Sequence, residues 1–177
     1  MKFSKFLIKY TAGLVLLIFL CVLVWANQSD TGPPPTEKVD RILIEKEKRK
    51  LTLIKNGTVL KVYHISLGRN PLEPKEREGD HKTPEGLYRI VEHKEKSSCY
   101  RALRVSYPED RDLAKAKALG INPGSNIMIH GLVNGTGLFG KLHRLMDWTS
   151  GCIAVTDWEI DEISNATPDG TLVEIRP

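Results

Sequence analysis

Three cysteines and five histidines in 177 residues leave few side chains suited to covalent or proton-transfer chemistry. Two of them stand at informative places. Ile129-His130-Gly131 closes a short apolar run, and Thr149-Ser150-Gly151-Cys152-Ile153-Ala154-Val155 follows twenty-odd residues later. A titratable residue ending an apolar strand beside glycine lies where a scaffold presents functional groups, at the rim with room for close backbone approach. A thiol attacks as the thiolate, and a neighbouring imidazolium lowers a cysteine pKa from about 8.5 into the range of roughly 3.5–7.5. The same imidazole then protonates a leaving amine. Backbone N–H groups after a glycine turn would bind the developing oxyanion, at on the order of 3–4 kcal/mol per donor. Acyl transfer needs one Cys, one His and such a loop, and this chain has all three.

The other candidates carry blander readings beside the sharp ones. Cysteine is among the most buried residue types, so Cys99 reads as a buried or capped thiol, or as a disulfide partner of Cys152 in an oxidising compartment. His143, in the loop between the two motifs, is either a solvated residue or a second imidazole for the site. Asn134-Gly135-Thr136-Gly137 lacks the spacing of a phosphate loop and reads instead as a lid over the thiol. No paired spacing such as C-x-x-C or H-x-x-x-H supports zinc.

The elements that must hold these groups are mostly strands. Val39 to Glu45, Leu51 to Lys55 and Thr58 to Leu67 form an antiparallel meander, with Asn56-Gly57 as a strong hairpin signal. A long Pro-rich loop, 69–82, ends in Thr83-Pro84-Glu85-Gly86, which suits a type I turn. Strands follow at Leu87 to Val91, Ala102 to Ser106 and Asn126 to His130. Between Pro108 and Gly120 the sequence is helix-like, with Gly120 as a stop signal. Thr156 and Glu159 fit a capping box over a short helix from Asp157 to Ser164, with Ile160 and Ile163 buried. The expected fold is a β-rich sandwich or open barrel with one or two short helices.

The basic excess is mild, with 26 Lys and Arg against 22 Asp and Glu. Lys2, Lys5 and Lys9 account for most of it, so the body is nearly neutral and nucleic acid is excluded as a partner. Tyr10 to Ala26 carries no charge. With Phe6 to Ile8 it approaches the roughly 20 residues that cross hydrocarbon, and the lysines before it keep the N-terminus inside while the remainder is exported. The run exceeds a usual signal-peptide core, which favours an uncleaved anchor over cleavage after Ala26. The expected organisation is a transmembrane anchor over 1–27, a stiff Pro-rich linker over 28–37, and one exported domain over 38–177. That makes the chain a single-pass membrane protein whose domain lies outside the cytoplasm.

His130-Gly131, Ser150-Gly151-Cys152 at this spacing, Thr83-Pro84-Glu85-Gly86 and the strand pair around Asn56-Gly57 together resemble the L,D-transpeptidase catalytic domain family, from about Lys38 to Pro177. The resemblance implies a mostly β fold, Cys152 as nucleophile, His130 as proton donor and acceptor, no metal or organic cofactor, and peptidoglycan stem peptides as substrate. Gly131 would orient His130, Gly151 would present oxyanion-loop backbone, and Trp148, Thr149 and Ser150 are substrate contacts by proximity. The family signature places His before the Gly-Cys pair and Arg or Asn two residues after the thiol. Here Ser150 and Ala154 stand at those positions. The implied reaction is a thioester-mediated transfer that cross-links the wall. A thiol hydrolase acting on peptidoglycan peptides or on proteins attached to them is the second reading, and a silent wall-binding module the third.

Overall fold

Alternating β-branched and polar residues build most of the domain. The computed structural model describes residues 2–29 and 32–177, with side chains from Thr11 onward. After helix α1 (Lys2–Ala26), the strands β1 (Arg41–Glu45), β2 (Lys50–Lys55) and β3 (Thr58–His64) form the expected antiparallel meander. The Asn56-Gly57 hairpin closes with φ 49° and 79°, the positive pair that a two-residue turn requires. Next come β4 (Gly86–Ser97), β5 (Tyr100–Val105), α2 (Asp110–Leu119) and β6 (Met128–His130). A kinked 3-10 segment (Gly137–Leu145), β7 (Ile153–Ala154), α3 (Asp157–Ala166) and β8 (Leu172–Arg176) complete the chain.

The sheet order is β3-β2-β1-β8-β4-β5-β6-β7. Its two ends then meet: Ser66, just past β3, exchanges hydrogen bonds with Ala154 (2.8 and 2.9 Å), and Thr149 N–H donates to Leu67 O at 3.1 Å. The sheet thereby curls into an open barrel whose seam runs through residues 149–154. One apolar cluster fills it, including Ile42, Leu53, Tyr63, Ile90, Leu103 and Ile129. The capping box at Thr156 and Glu159 forms, and Ile160 and Ile163 are fully buried on α3.

Two expectations change. β8, unassigned in the sequence reading, lies centrally, parallel to β1 and antiparallel to β4. Residues 83–85 form no turn, and buried Lys46 gathers that stretch, donating to Glu73 O (2.9 Å), Thr83 O (3.2 Å) and the Glu85 carboxylate (2.7 Å). Among the described residues no helix is long and apolar enough to cross a membrane. The described side chains of α1, 11–26, fall short of the roughly 20 that a span needs.

Candidate active site

The register of the seam places the two reactive groups. β6 and β7 run parallel with Ile129 opposite Ile153 and His130 opposite Ala154, so Cys152 lies level with Met128. Side chains alternate along a strand, and His130 and Cys152 therefore share one face on neighbouring strands, two residues apart. His130 Nδ1–H donates to Gly131 O at 2.7 Å, which leaves Nε2 as the basic nitrogen. The buried ring is pushed below the ordinary imidazole pKa by desolvation, only partly offset by the Gly131 bond.

The thiol is pushed the other way. Burial raises the Cys152 pKa, while the Met128 N–H and the Lys75 ammonium pull against it. The Cys152 Sγ–H donates to Asn126 O at 3.5 Å. The resting pair is thus a neutral thiol beside a neutral imidazole, and the expected ready-made thiolate–imidazolium is not what the site favours. Desolvation penalises both charged forms.

The loop before the thiol is a closed turn. Thr149 is buried, its hydroxyl donating to Cys152 O at 2.8 Å and accepting from Gly151 N–H at 3.1 Å. Thr149 shapes the loop from within, and the Gly151 amide is engaged inside the turn. Gly151 has φ 124°, and a Cβ there would lie 2.5 Å from Lys82 O, so the position requires glycine. Ser150 is exposed at the rim. Ala154 is wholly buried in the seam.

Trp148 is half-buried with its ring edge-on to His130, at 5.8 Å between centroids. His143 also packs edge-on to Trp148, at 6.5 Å between centroids. His143 Nδ1 accepts from Trp148 Nε1–H at 3.4 Å and lies 3.2 Å from the Ser66 hydroxyl. It is neither a solvated loop residue nor a direct copy of the absent imidazole at position 150. Desolvation, Arg144 and His130 push its pKa down to about 3, so it stays neutral. Beside these rings lies a groove of about 550 Å³ walled by Leu132, Val133, Phe139, Leu142, Leu145 and Met146.

Two acids brace the segments around this groove, and the sequence reading gave Asp157 no part in it. Asp157 accepts from Leu132 N–H at 2.7 Å and occupies the space beside Gly131 and Gly137. Its signal was an acid at the first turn of α3, where helix ends attract such side chains. Asp147 accepts from Leu67 N–H at 2.8 Å and pairs with Arg49 at 2.9 Å. The expected 134–137 lid is a pinned turn: Asn134 bonds Ser97 O, Ser98 O and Tyr100 N–H at 2.9–3.0 Å. Cys99 and Cys152 are both free, and Cys99 sits half-buried at the tip of the β4–β5 hairpin.

Comparison with known proteins identifies the family and the fold. The "Putative L,D-transpeptidase YafK" of Escherichia coli strain K12 is 31% identical over 167 residues, which cover 85% of this chain and 60% of that protein. The chain therefore spans less than two thirds of the length of this curated relative. The helical cell shape determining protein Pgp2 from Campylobacter jejuni shares the fold with TM-score 0.59 at 22% identity, over 88% of this chain and 54% of that one. Bd1075 of Bdellovibrio bacteriovorus does so with TM-score 0.54 at 23% identity, over 83% and 54%. The family model for the L,D-transpeptidase catalytic domain matches residues 39–175, and the chain belongs to that family.

Proposed function

We propose that the chain is an exported, membrane-anchored enzyme that acylates Cys152 with the carbonyl of a peptidoglycan stem peptide. The observation that carries this reading is the β6–β7 register, which sets Cys152 and His130 on one face with Nε2 of His130 free to take a proton. The thiol sulfur forms a bond to the substrate carbonyl carbon, and its proton passes to His130 Nε2. The scissile C–N bond breaks, and His130 returns that proton to the departing amine. A second amine then attacks the thioester, releasing the thiol and leaving a cross-link. Water in the same place gives hydrolysis.

The hydrolytic reading draws support from the residues around the thiol. Ala154 is buried, Ser150 is short, and the adjoining groove is apolar. The side chains that flank the thiol in the common family signature are thus absent, and a bound amine acceptor has fewer partners. Incubating the protein with muropeptides and a competing amine separates the readings: cross-linked dimers establish transfer, and trimmed monomers establish hydrolysis. A carbapenem or activated ester should add its mass to the wild-type protein, and Cys152→Ala should show no adduct. An adduct persisting in that variant would remove Cys152 from the mechanism, and no adduct on the wild-type protein would leave the binding-module reading for the wall.

Anchoring and export rest on the sequence of the first 26 residues, with Lys2, Lys5 and Lys9 before an uncharged run. Carbonate extraction of membranes from the producing cell tests it. Retention in the pellet supports the anchor, and release into the supernatant defeats it.

A further inference from the structure

The C-terminal end of α1 is locked onto the segment that walls the groove. Ala26 is fully buried. The Asn27 side-chain amide donates to Leu138 O at 2.8 Å and back to Leu23 O at 2.9 Å. Gly140 adopts φ 46° and ψ −130°, and the Ala26 carbonyl oxygen occupies the space a Cβ would need. The Lys141 ammonium lies 4.6 Å from the centre of the Trp25 ring, a cation–π distance. The Pro-rich stretch that follows is also fastened. Lys61 Nζ donates to Gly32 O at 2.9 Å and Pro33 O at 3.0 Å while pairing with Glu162 at 2.6 Å. The domain therefore does not swing on a spacer, and the helix leaves it at one fixed place.

At that place the surface is unusually apolar. Leu138, Phe139, Leu145 and Met146 are 63%, 53%, 80% and 68% exposed. Four large apolar side chains so exposed on one short segment mark a surface that meets something other than water. The patch is continuous with α1, whose own side chains from Leu14 to Leu20 are also exposed. Trp25, at the end of the apolar run, is a residue type that settles at headgroup level, and the 3-10 segment is bonded to that same turn.

We infer that the 137–146 segment is seated in the interface of the bilayer that holds α1, so that the groove beside His130 opens at the headgroups. Phe139, Leu145 and Met146 both wall the groove and form the patch, so seating one orients the other. The enzyme then works on wall peptides presented next to the membrane. This rests on the anchoring reading above, and the test separates the two.

The full chain, with Cys21, Cys99 and Cys152 changed to serine, is reconstituted in vesicles of phosphatidylethanolamine and phosphatidylglycerol. Single nitroxide labels are placed through Leu17→Cys, Leu145→Cys, Met146→Cys and Leu119→Cys, and relaxation by oxygen is compared with relaxation by a water-soluble nickel chelate. The expected result is a shift toward oxygen at 17, 145 and 146, with nickel dominant at 119 on α2. Nickel dominance at 145 and 146 with oxygen dominance at 17 would overturn the interfacial seat and leave the anchor standing. Nickel dominance at 17 would overturn both.

Discussion

The two walls that flank the catalytic face are built on opposite principles. The thiol wall, residues 149–152, is held by backbone contact: Gly151 lies against Lys82 and Gly68, and Thr149 closes the turn on itself. The 137–146 wall is held at its ends, by Asn27 and Ala26 at one and by Arg144 on Glu159 (2.6 Å) at the other, and it shows apolar side chains to the outside. The first wall fixes where a sulfur atom sits, which acyl transfer requires to a fraction of an ångström. The second offers surface, which needs attachment more than fine placement.

The largest expected effect tests how the second wall is attached. Glu159 is fully buried and accepts from Arg144 as well as from the Thr156 amide and hydroxyl. Glu159→Ala removes the buried carboxylate that Arg144 and Thr156 share and should lower stability by about 3–5 kcal/mol in urea unfolding. The folded fraction should still acylate at close to the normal rate. A collapse of acylation at normal stability would merge the two walls into one functional unit.

Glycine exchange sharpens the same contrast. Gly151→Ala forces the 149–152 turn away from Lys82 and should slow acylation about 100-fold by moving the sulfur. Gly140→Ala meets a disfavoured backbone region and the Ala26 carbonyl, costing about 1–3 kcal/mol while leaving acylation near normal. Equal kinetic losses in both variants would refute the division of roles.

The two histidines that pack against Trp148 should both respond to acid. Both folded pKa values lie below the ordinary imidazole value of about 6.5. Between that value and the depressed ones the unfolded chain binds more protons than the folded one, so stability falls as pH drops from about 6.5 toward about 3. Urea unfolding at pH 7 and pH 5 should show the loss, and His143→Gln should diminish it. Acylation should fall on the acid side with a midpoint below 6.5, a limb that vanishes in His130→Ala but survives in His143→Gln. The smallest effect belongs to Ser150→Ala. Its side chain is exposed at the rim, so stability should stay within about 0.5 kcal/mol, and a muropeptide assay should show little change in product.

Local chemistry made much of this legible. Period-two alternation and the Asn56-Gly57 pair gave the meander, and Thr156 with Glu159 gave α3, because a turn and a cap are decided by neighbours within a few residues. The order of His130-Gly131 and Ser150-Gly151-Cys152 gave the reactive pair. Strand β8 was harder to read, since its place beside β1 depends on pairing across more than a hundred residues.

The sequence alone determined which side chains are candidates for the chemistry and which stretch before the domain is uncharged, since residue type and short-range pattern suffice for both. Only the tertiary structure decided the protonation of the pair, because desolvation depends on what closes over the seam. It alone showed that Thr149 and the Gly151 amide are engaged within their own turn. It alone bound the end of α1 to Gly140 and Leu138, a contact between residues more than a hundred positions apart. Such contacts follow from how the barrel closes, which no local pattern encodes.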